Sequence, residues 1–212
     1  MLRLYYTDVR ALTPYYDRAL ALLPPARRER AEQCRFPAAR LRSAAAGLLL
    51  RHVLGVMEDG RLQYGENGRP FLPNGPEFSL THGGDLAALA VCDAPVGVDA
   101  EPRGRSMQQY YMSGVLTPRE LAWYHASPEY RFAHLWTRKE AVMKATGLGL
   151  RLSPKRIEVL DDEISCAGLS LHLQTMELAG HMLSLAAAAP AAPELICLPP
   201  ETICPVNAAQ GR

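Results

Sequence analysis

Two stretches decide the fold: Asp85-Leu-Ala-Ala-Leu-Ala-Val-Cys-Asp-Ala-Pro95 and His181-Met-Leu-Ser-Leu-Ala-Ala-Ala-Ala-Pro190. Each is a short apolar run of small and branched residues, closed by a proline. That is the signature of a buried strand ending in a turn. Each also follows a long helical segment. Ala38 to Val56 is rich in Ala and Leu, with Arg40, Arg42 and Arg51 interrupting its apolar side, and Tyr130 to Thr146 is closed by Gly147. The repeated order of helix, strands and proline predicts an α+β chain of two similar halves related by pseudo-symmetry. The expected division is 1–97, 98–190 and a Pro- and Ala-rich extension over 191–212.

Outward from these runs, residues 2–9 read as a strand. Tyr15 to Leu23 and Ala26 to Gln33 read as helices separated by Pro24-Pro25. Residues 58–78 are turn-rich, with Asn67-Gly68 and Asn74-Gly75 as turn signals. Phe78 to Thr81, Leu86 to Cys92 and Val96 to Glu101 read as strands. Ser106 to Ser113 and Pro118 to His125 read as helices, the second capped by Thr117. Ile157 to Leu160, Leu169 to Glu177 and His181 to Ala188 complete the strand candidates.

The chain has 212 residues with 23 basic and 22 acidic side chains, a net charge of +1, and 48% hydrophobic residues. That supports a real core and excludes a disordered chain, a globally basic nucleic-acid coat and a strongly acidic protein. Between Pro24 and His52, however, arginines 27, 28, 30, 35, 40, 42 and 51 face only Glu29 and Glu32. Such an excess is either an anion site or a solvated helix face. Five cysteines without CxxC spacing indicate neither a disulfide framework nor a zinc site, and reduced thiols fit a cytoplasmic protein. No signal peptide is visible, and the longest uncharged stretch, Leu178 to Pro193, is too short to span a bilayer.

Four segments could carry chemistry. In Val96-Gly-Val-Asp-Ala-Glu101 the period of a strand turns Asp99 and Glu101 to one face. Two adjacent carboxylates repel unless a cation or water separates them, and hard oxygen ligands suit Mg²⁺; two solvated acids at a strand end are the plainer alternative. On a helix, Trp136, Glu140 and Lys144 share a face, either as a site or as an ordinary surface pair beside a core tryptophan. The chain uses twenty arginines and three lysines, yet Lys139 and Lys144 both fall here. Where Arg is the default, Lys suggests that a compact ammonium is needed. In Ser79-Leu-Thr-His-Gly-Gly-Asp85, Thr81 and His82 stand beside glycines that expose backbone N–H groups to an anion, or form a plain hairpin turn. Gly68-Arg69-Pro70 holds a basic residue in a stiff loop. There is no Walker A, GxGxxG, HExxH or GxSxG pattern.

In this order and spacing, the four segments resemble the Sfp-type 4′-phosphopantetheinyl transferases: Gly68-Arg69-Pro70, Thr81-His82, Gly97-Val98-Asp99-Ala100-Glu101, and Trp136 through Leu150. The resemblance covers roughly residues 27–189. It implies a pseudo-dimer with its active site in the cleft between the halves. It further implies a transferase that moves phosphopantetheine from coenzyme A to a serine of an acyl or peptidyl carrier protein and releases 3′,5′-ADP. Asp99, Glu101 and Glu140 match the family's Mg²⁺ ligands, Lys144 its catalytic-site lysine, and Thr81 and His82 its phosphate contacts. Arg42, Arg69 with Pro70, and the Arg27/Arg30 pair are further coenzyme A contacts by the same resemblance, with Arg where the family often has Lys. Asp99, Glu140 and Lys144 would act in catalysis: Glu140 takes the serine proton, directly or through water, and Lys144 holds Glu140 and neutralises a phosphate oxygen. The expected protein is a cytoplasmic monomer without nucleic-acid or membrane partners. Two alternatives stand: a catalytically silent binder of coenzyme A or carrier proteins, and a Mg²⁺-dependent diphosphate hydrolase.

Overall fold

The computed structural model describes residues 1–105, 109–126 and 131–205. The expected helix at Ser106 to Ser113, the start of the long helix at Tyr130, and residues 206–212 therefore lie partly or wholly outside the described residues.

The chain opens with β1 (Leu2–Asp8), followed by α1 (Tyr16–Leu22), α2 (Pro25–Glu32) and α3 (Pro37–Leu54). A small hairpin, β2 (Gln63–Tyr64) and β3 (Pro70–Phe71), precedes β4 (Glu77–Gly83), β5 (Leu86–Cys92) and β6 (Val96–Pro102). Then come α4 (Gln109–Val115), α5 (Pro118–Ala126) and α6 (Arg131–Thr146). β7 (Glu163–Cys166), β8 (Leu169–Leu178), β9 (His181–Ala187), β10 (Glu194–Cys197) and α7 (Pro200–Ile203) complete the order.

The strands form two four-stranded sheets, β10-β1-β5-β4 and β6-β9-β8-β7. All pairs are antiparallel except β1 with β10. The mixed α+β class thus matches the expectation. The expected boundary at 97/98 falls inside β6. The stretch read as a loose extension is corrected: Glu194–Cys197 pairs in parallel with residues 3–6 of β1 and closes the edge of the first sheet. A second correction concerns Ile157 to Leu160, which is not a strand. Its backbone is held by side chains instead, as described below.

Alternation along the strands sorts side chains into three cores. Leu48 and Leu49 of α3 pack on Ala87 and Leu89 of β5. Val142 and Ala145 of α6 pack with Ala186 of β9 and Leu171 and Leu173 of β8. Between the sheets, Leu2 and Leu4, Ala88 and Ala90, Val98 and Ala100, and Leu183 and Leu185 interdigitate. Each long helix therefore covers the outer face of its own sheet while the inner faces meet, which is how two half-buried sheets remove both apolar surfaces from water.

Gly97 sets the spacing of the second half. A Cβ there would lie 1.9 Å from the carbonyl oxygen of Ala141 and 2.6 Å from the nitrogen of Ala145. Only glycine lets α6 lie this close on β6. That closeness brings Lys144, one turn from Ala141, against the next outward-facing residue of β6, Asp99.

Candidate active site

β4 and β6 are edge strands of different sheets and run side by side without pairing along their backbones. Side chains join them instead. The Val98 N–H donates to Ser79 Oγ at 3.0 Å, and the Thr81 hydroxyl donates to Asp99 Oδ1 at 3.0 Å. The period of β4 that places Ser79 and Thr81 on one side serves this seam.

Asp99 is 7% exposed. Its Oδ1 also accepts from Lys144 Nζ at 2.7 Å, and the same ammonium donates to the Val98 carbonyl at 3.0 Å. Asp99 Oδ2 is buried and finds no hydrogen-bond partner among the described residues. An ionised carboxylate oxygen left bare in the interior is costly, so this atom is poised to accept a donor or a cation. Glu101, on the same face, accepts from Arg105 Nη1 at 2.7 Å. Burial pushes the Glu101 carboxyl above the usual range and nearby Asp99 adds to the shift, against the pull of Arg105 and Lys144. Glu140 is also raised, by burial first and then by the charges of Asp99 and Glu101. The three acids therefore sense one another.

Their donor chemistry fits a hard divalent cation: carboxylate oxygens, one of them orphaned and buried. Yet among the described residues no group of three or more His, Cys, Asp or Glu side chains stands close enough together to hold a metal. Lys144 on Asp99 and Arg105 on Glu101 supply positive charge instead.

Beside Asp99 opens a cavity of about 290 Å³, lined by Arg27, Arg30, Thr81, His82, Asp99 and Lys144, with Pro70 at its rim. It joins the two halves of the chain: α2 and β4 supply the arginines and His82, β6 and α6 the acid and the lysine. His82 also borders a broader opening of about 710 Å³ with Arg42, Glu101 and Arg105. Its outer edge is open to solvent, yet its surroundings hold its pKa below the ordinary histidine value. Desolvation is the main cause, and repulsion from Lys144, Arg42 and Arg27 reinforces it. Arg27 is lowered in the same way, by burial and by Arg30. Crowded cations of this kind await an anion.

Several expected residues sit differently. Lys144 does not hold Glu140 by an ion pair; it holds Asp99, and reaches Glu140 only through its charge. Thr81 is buried, and its hydroxyl is engaged by Asp99 rather than turned to a ligand. Arg69 lines a separate pocket of about 220 Å³ that shares Lys144 with the main cavity. Its guanidinium donates to Glu77 at 2.6 Å and to the Ala145 carbonyl at 3.2 Å, where it caps the end of α6. Lys139 is remote from the cavity and fully buried. Its Nζ donates to Glu120 Oε1 and the Pro154 carbonyl, each at 2.9 Å, and to the Ile157 carbonyl. Glu120 in turn accepts from the N–H groups of Thr117 and Val159, and Thr117 returns a bond to the Glu120 N–H. This capping box plus lysine fastens the 154–159 segment, so the apolar run at 157–160 needs no strand partner. Ser43, Leu62 and Tyr64 also line the cavity and carry no motif in the sequence.

The fold and the seam define a mixed α+β protein with an anion-receptive cavity flanked by carboxylates. Residues 95–187 match the family model of the 4'-phosphopantetheinyl transferase superfamily. The chain is 38% identical over 135 residues to the 4'-phosphopantetheinyl transferase AcpT of Escherichia coli O157:H7, covering 60% of this chain and 67% of that protein. It is 33% identical over 134 residues to the 4'-phosphopantetheinyl transferase psf-1 of Bacillus pumilus, covering 58% of each. To the 4'-phosphopantetheinyl transferase Sfp of Bacillus subtilis it is 26% identical over 200 residues, covering 86% of this chain and 89% of that one. The chain belongs to the 4'-phosphopantetheinyl transferase superfamily.

Proposed function

We propose that the protein transfers the 4′-phosphopantetheine of coenzyme A to a serine of an acyl or peptidyl carrier protein and releases 3′,5′-ADP. One observation carries this: a single cavity is lined by Arg27, Arg30, His82 and Lys144 together with Asp99, whose buried Oδ2 has no hydrogen-bond partner among the described residues. Such a cavity suits a ligand with several phosphates whose reacting diphosphate lies near the acids. A silent binder has no use for an orphaned buried carboxylate oxygen.

The serine oxygen attacks the β-phosphorus, a new P–O bond forms, and the bond to the 3′,5′-ADP oxygen breaks. Glu140 is the group assigned to take the serine proton. Its carboxyl is less acidic than usual, so it binds a proton more readily than an exposed glutamate. Lys144 neutralises phosphate charge on the ligand side while anchoring Asp99. Arg27, Arg30, Arg42 and His82 hold the terminal phosphate. We assign Asp99, Glu101 and Glu140 to Mg²⁺; since they do not stand close enough together in the free protein, they would have to draw together to hold the ion, which would then screen the diphosphate charge against the incoming oxygen.

The division into two halves belongs to the same reading, with residues 191–205 counted with the first half through β10. Both sides of the cavity come from one chain, which supports action as a monomer. Among the described residues no helix is long and apolar enough to cross a membrane. The five cysteines are free, and a reducing, cytoplasmic setting is part of the same reading. The test is the mass of an apo carrier protein after incubation with coenzyme A and Mg²⁺. A gain of one phosphopantetheine arm is expected. Release of nucleotide without carrier protein would instead mark a hydrolase, and an unchanged mass with no nucleotide release would sink the transferase reading.

A further inference from the structure

The His82-Gly83-Gly84-Asp85 turn joins β4 to β5 in the first sheet, yet it is gripped from the second. His181, at the start of β9, is buried, and its Nδ1 donates to the Ala179 carbonyl at 2.8 Å. A carbonyl can only accept, so Nδ1 carries a proton, and the Asp85 N–H aimed at Nε2 requires that nitrogen to be bare. Nε2 then accepts from the Asp85 N–H at 3.3 Å. The ring lies flush on Gly84: a Cβ there would meet Nε2 at 2.5 Å and the Pro102 side chain at 3.0 Å. Gly84 also has a φ of +53°, so both backbone and space exclude a side chain. On the opposite side, Arg42 reaches toward the Gly84 carbonyl, at 3.5 Å. Arg10 pairs with the Asp85 carboxylate at 2.5 Å, and the Val9 N–H donates to the Asp85 carbonyl at 2.8 Å.

We infer that His181 is a positioning residue for coenzyme A binding: from the second sheet, its neutral ring fixes the 84–85 turn and, through it, His82 and Arg42. Two side chains proposed to hold the terminal phosphate depend on this turn. His82 is two residues before Gly84 on the same strand end, and Arg42 leans on the Gly84 carbonyl. The Asp85 N–H is otherwise a backbone donor facing a buried ring, and burying it unpaired is unfavourable. When the bond is lost, the turn relaxes toward solvent and the phosphate contacts lose their alignment. The diphosphate end, held by Asp99 and Lys144 on β6 and α6, does not depend on the turn. The loss therefore falls on ligand affinity and spares the chemical step.

This inference rests on the proposed function, and its test separates the two. Asparagine at 181 can keep the bond to Ala179 but cannot reach Asp85; glutamine reaches the Nε2 position with an acceptor. His181→Asn is expected to weaken coenzyme A binding, measured by calorimetry, about 10-fold, to raise KM similarly, and to leave kcat within about 2-fold. His181→Gln is expected to stay within about 3-fold of wild type. Hydrogen exchange at the Asp85 amide should quicken in the Asn variant and stay slow in the Gln variant. Equal affinity of the two variants, or a loss confined to kcat, overturns the inference. If His181→Asn does not fold, His181→Gln decides: a protected Asp85 amide with near-wild-type binding supports the inference, whereas a protected amide with more than 10-fold weaker binding, or an unprotected amide with unchanged binding, means that the ring only fills space. A wild-type protein that binds no coenzyme A overturns the function instead, whatever the Asp85 amide shows.

Discussion

The two halves share one plan, a long helix on the outer face of a four-stranded sheet, and present opposite chemistry at the seam. The first half brings the cations Arg27, Arg30 and Arg42, and the imidazole of His82, from α2, α3 and β4. The second brings acids, Asp99, Glu101 and Glu140, together with Lys144, from β6 and α6. The backbone explains the contrast. α3 meets its sheet through leucine and alanine, and the arginine it gives to the site, Arg42, emerges near the start of the helix. α6 meets β6 through Gly97, so closely that its polar face and the strand's acids occupy one surface. Architecture repeats, while the helix-to-strand spacing decides which half carries the proposed chemistry.

If that division holds, removing an acid hurts turnover and removing a cation of the first half hurts affinity. The largest effect is expected for Asp99→Ala, which removes the orphaned oxygen and the partner of both Thr81 and Lys144. Transfer measured by carrier-protein mass should fall by about 10³-fold or more at ordinary Mg²⁺. Near-normal turnover would break the comparison at its centre.

Glu140→Gln comes next and has two expected readouts. Turnover should fall about 10²-fold, in the range of a lost general base. Stability without Mg²⁺ should move the other way. A carboxyl whose folded pKa is raised binds more protons folded than unfolded, so metal-free stability declines as pH rises from the unfolded glutamate value through the raised folded one. Glutamine removes that charge, so at pH 7 without metal the variant's Tm should exceed that of wild type, and Mg²⁺ should narrow the gap. A lower Tm at pH 7 would show that the Glu140 charge is well solvated.

His82→Ala tests the other half. KM for coenzyme A should rise 10- to 100-fold, the worth of a charge-assisted contact, with kcat little changed. Dephospho-coenzyme A, which lacks the 3′-phosphate, should be nearly unaffected. The free imidazole has a lowered pKa and is largely neutral at pH 7, while an anion favours the charged form. Affinity for coenzyme A should therefore strengthen as pH falls from 8 toward 6, and this slope should vanish in the alanine variant. Equal KM shifts with both substrates would move His82 to the diphosphate.

Much of this contrast is legible in the chain because it follows local periods. Strand alternation turns Asp99 and Glu101 together, helical spacing aligns Glu140 with Lys144, and the paired apolar runs mark the central strands of both sheets. What is hidden depends on tertiary approach. β10 is four residues long, and its partner β1 lies at the opposite end of the chain. Ile157 to Leu160 is apolar enough for a strand, but Glu120 and Lys139 satisfy its backbone from other elements. Ser43 and Tyr64 reach the cavity only because α3 and the β2–β3 hairpin close over it. The rarity of lysine marks both Lys139 and Lys144, and composition cannot tell that one of them serves the core.

That last ambiguity gives the smallest effect on transfer and the finest test. Lys144 is 30% exposed in its side chain and faces the cavity, whereas Lys139 is fully buried against Glu120 at 2.7 Å. Arginine keeps the charge but is longer, planar and cannot deprotonate. At 144 it has room toward the cavity, but it cannot place one compact cation on both Asp99 and the Val98 carbonyl. Lys144→Arg should therefore lower turnover about 10-fold, or 1.4 kcal/mol, with little change in Tm. At 139 there is no room: the longer fork must displace carbonyls in the 154–157 segment or leave Glu120 unpaired. Breaking a buried pair costs about 3–5 kcal/mol, so Lys139→Arg should lower Tm strongly while the folded fraction keeps most of its turnover. Burial holds the Lys139 pKa below the ordinary lysine value, against the pull of Glu120. Lys139→Met, which removes the ammonium but fits the volume, should be destabilised too, because it strands Glu120. The double variant Lys139→Met with Glu120→Gln should recover part of the loss. If instead Lys144→Arg lowers Tm and Lys139→Arg lowers only turnover, the two lysines have exchanged roles and the helix-to-strand spacing set by Gly97 is not what separates the site from the core.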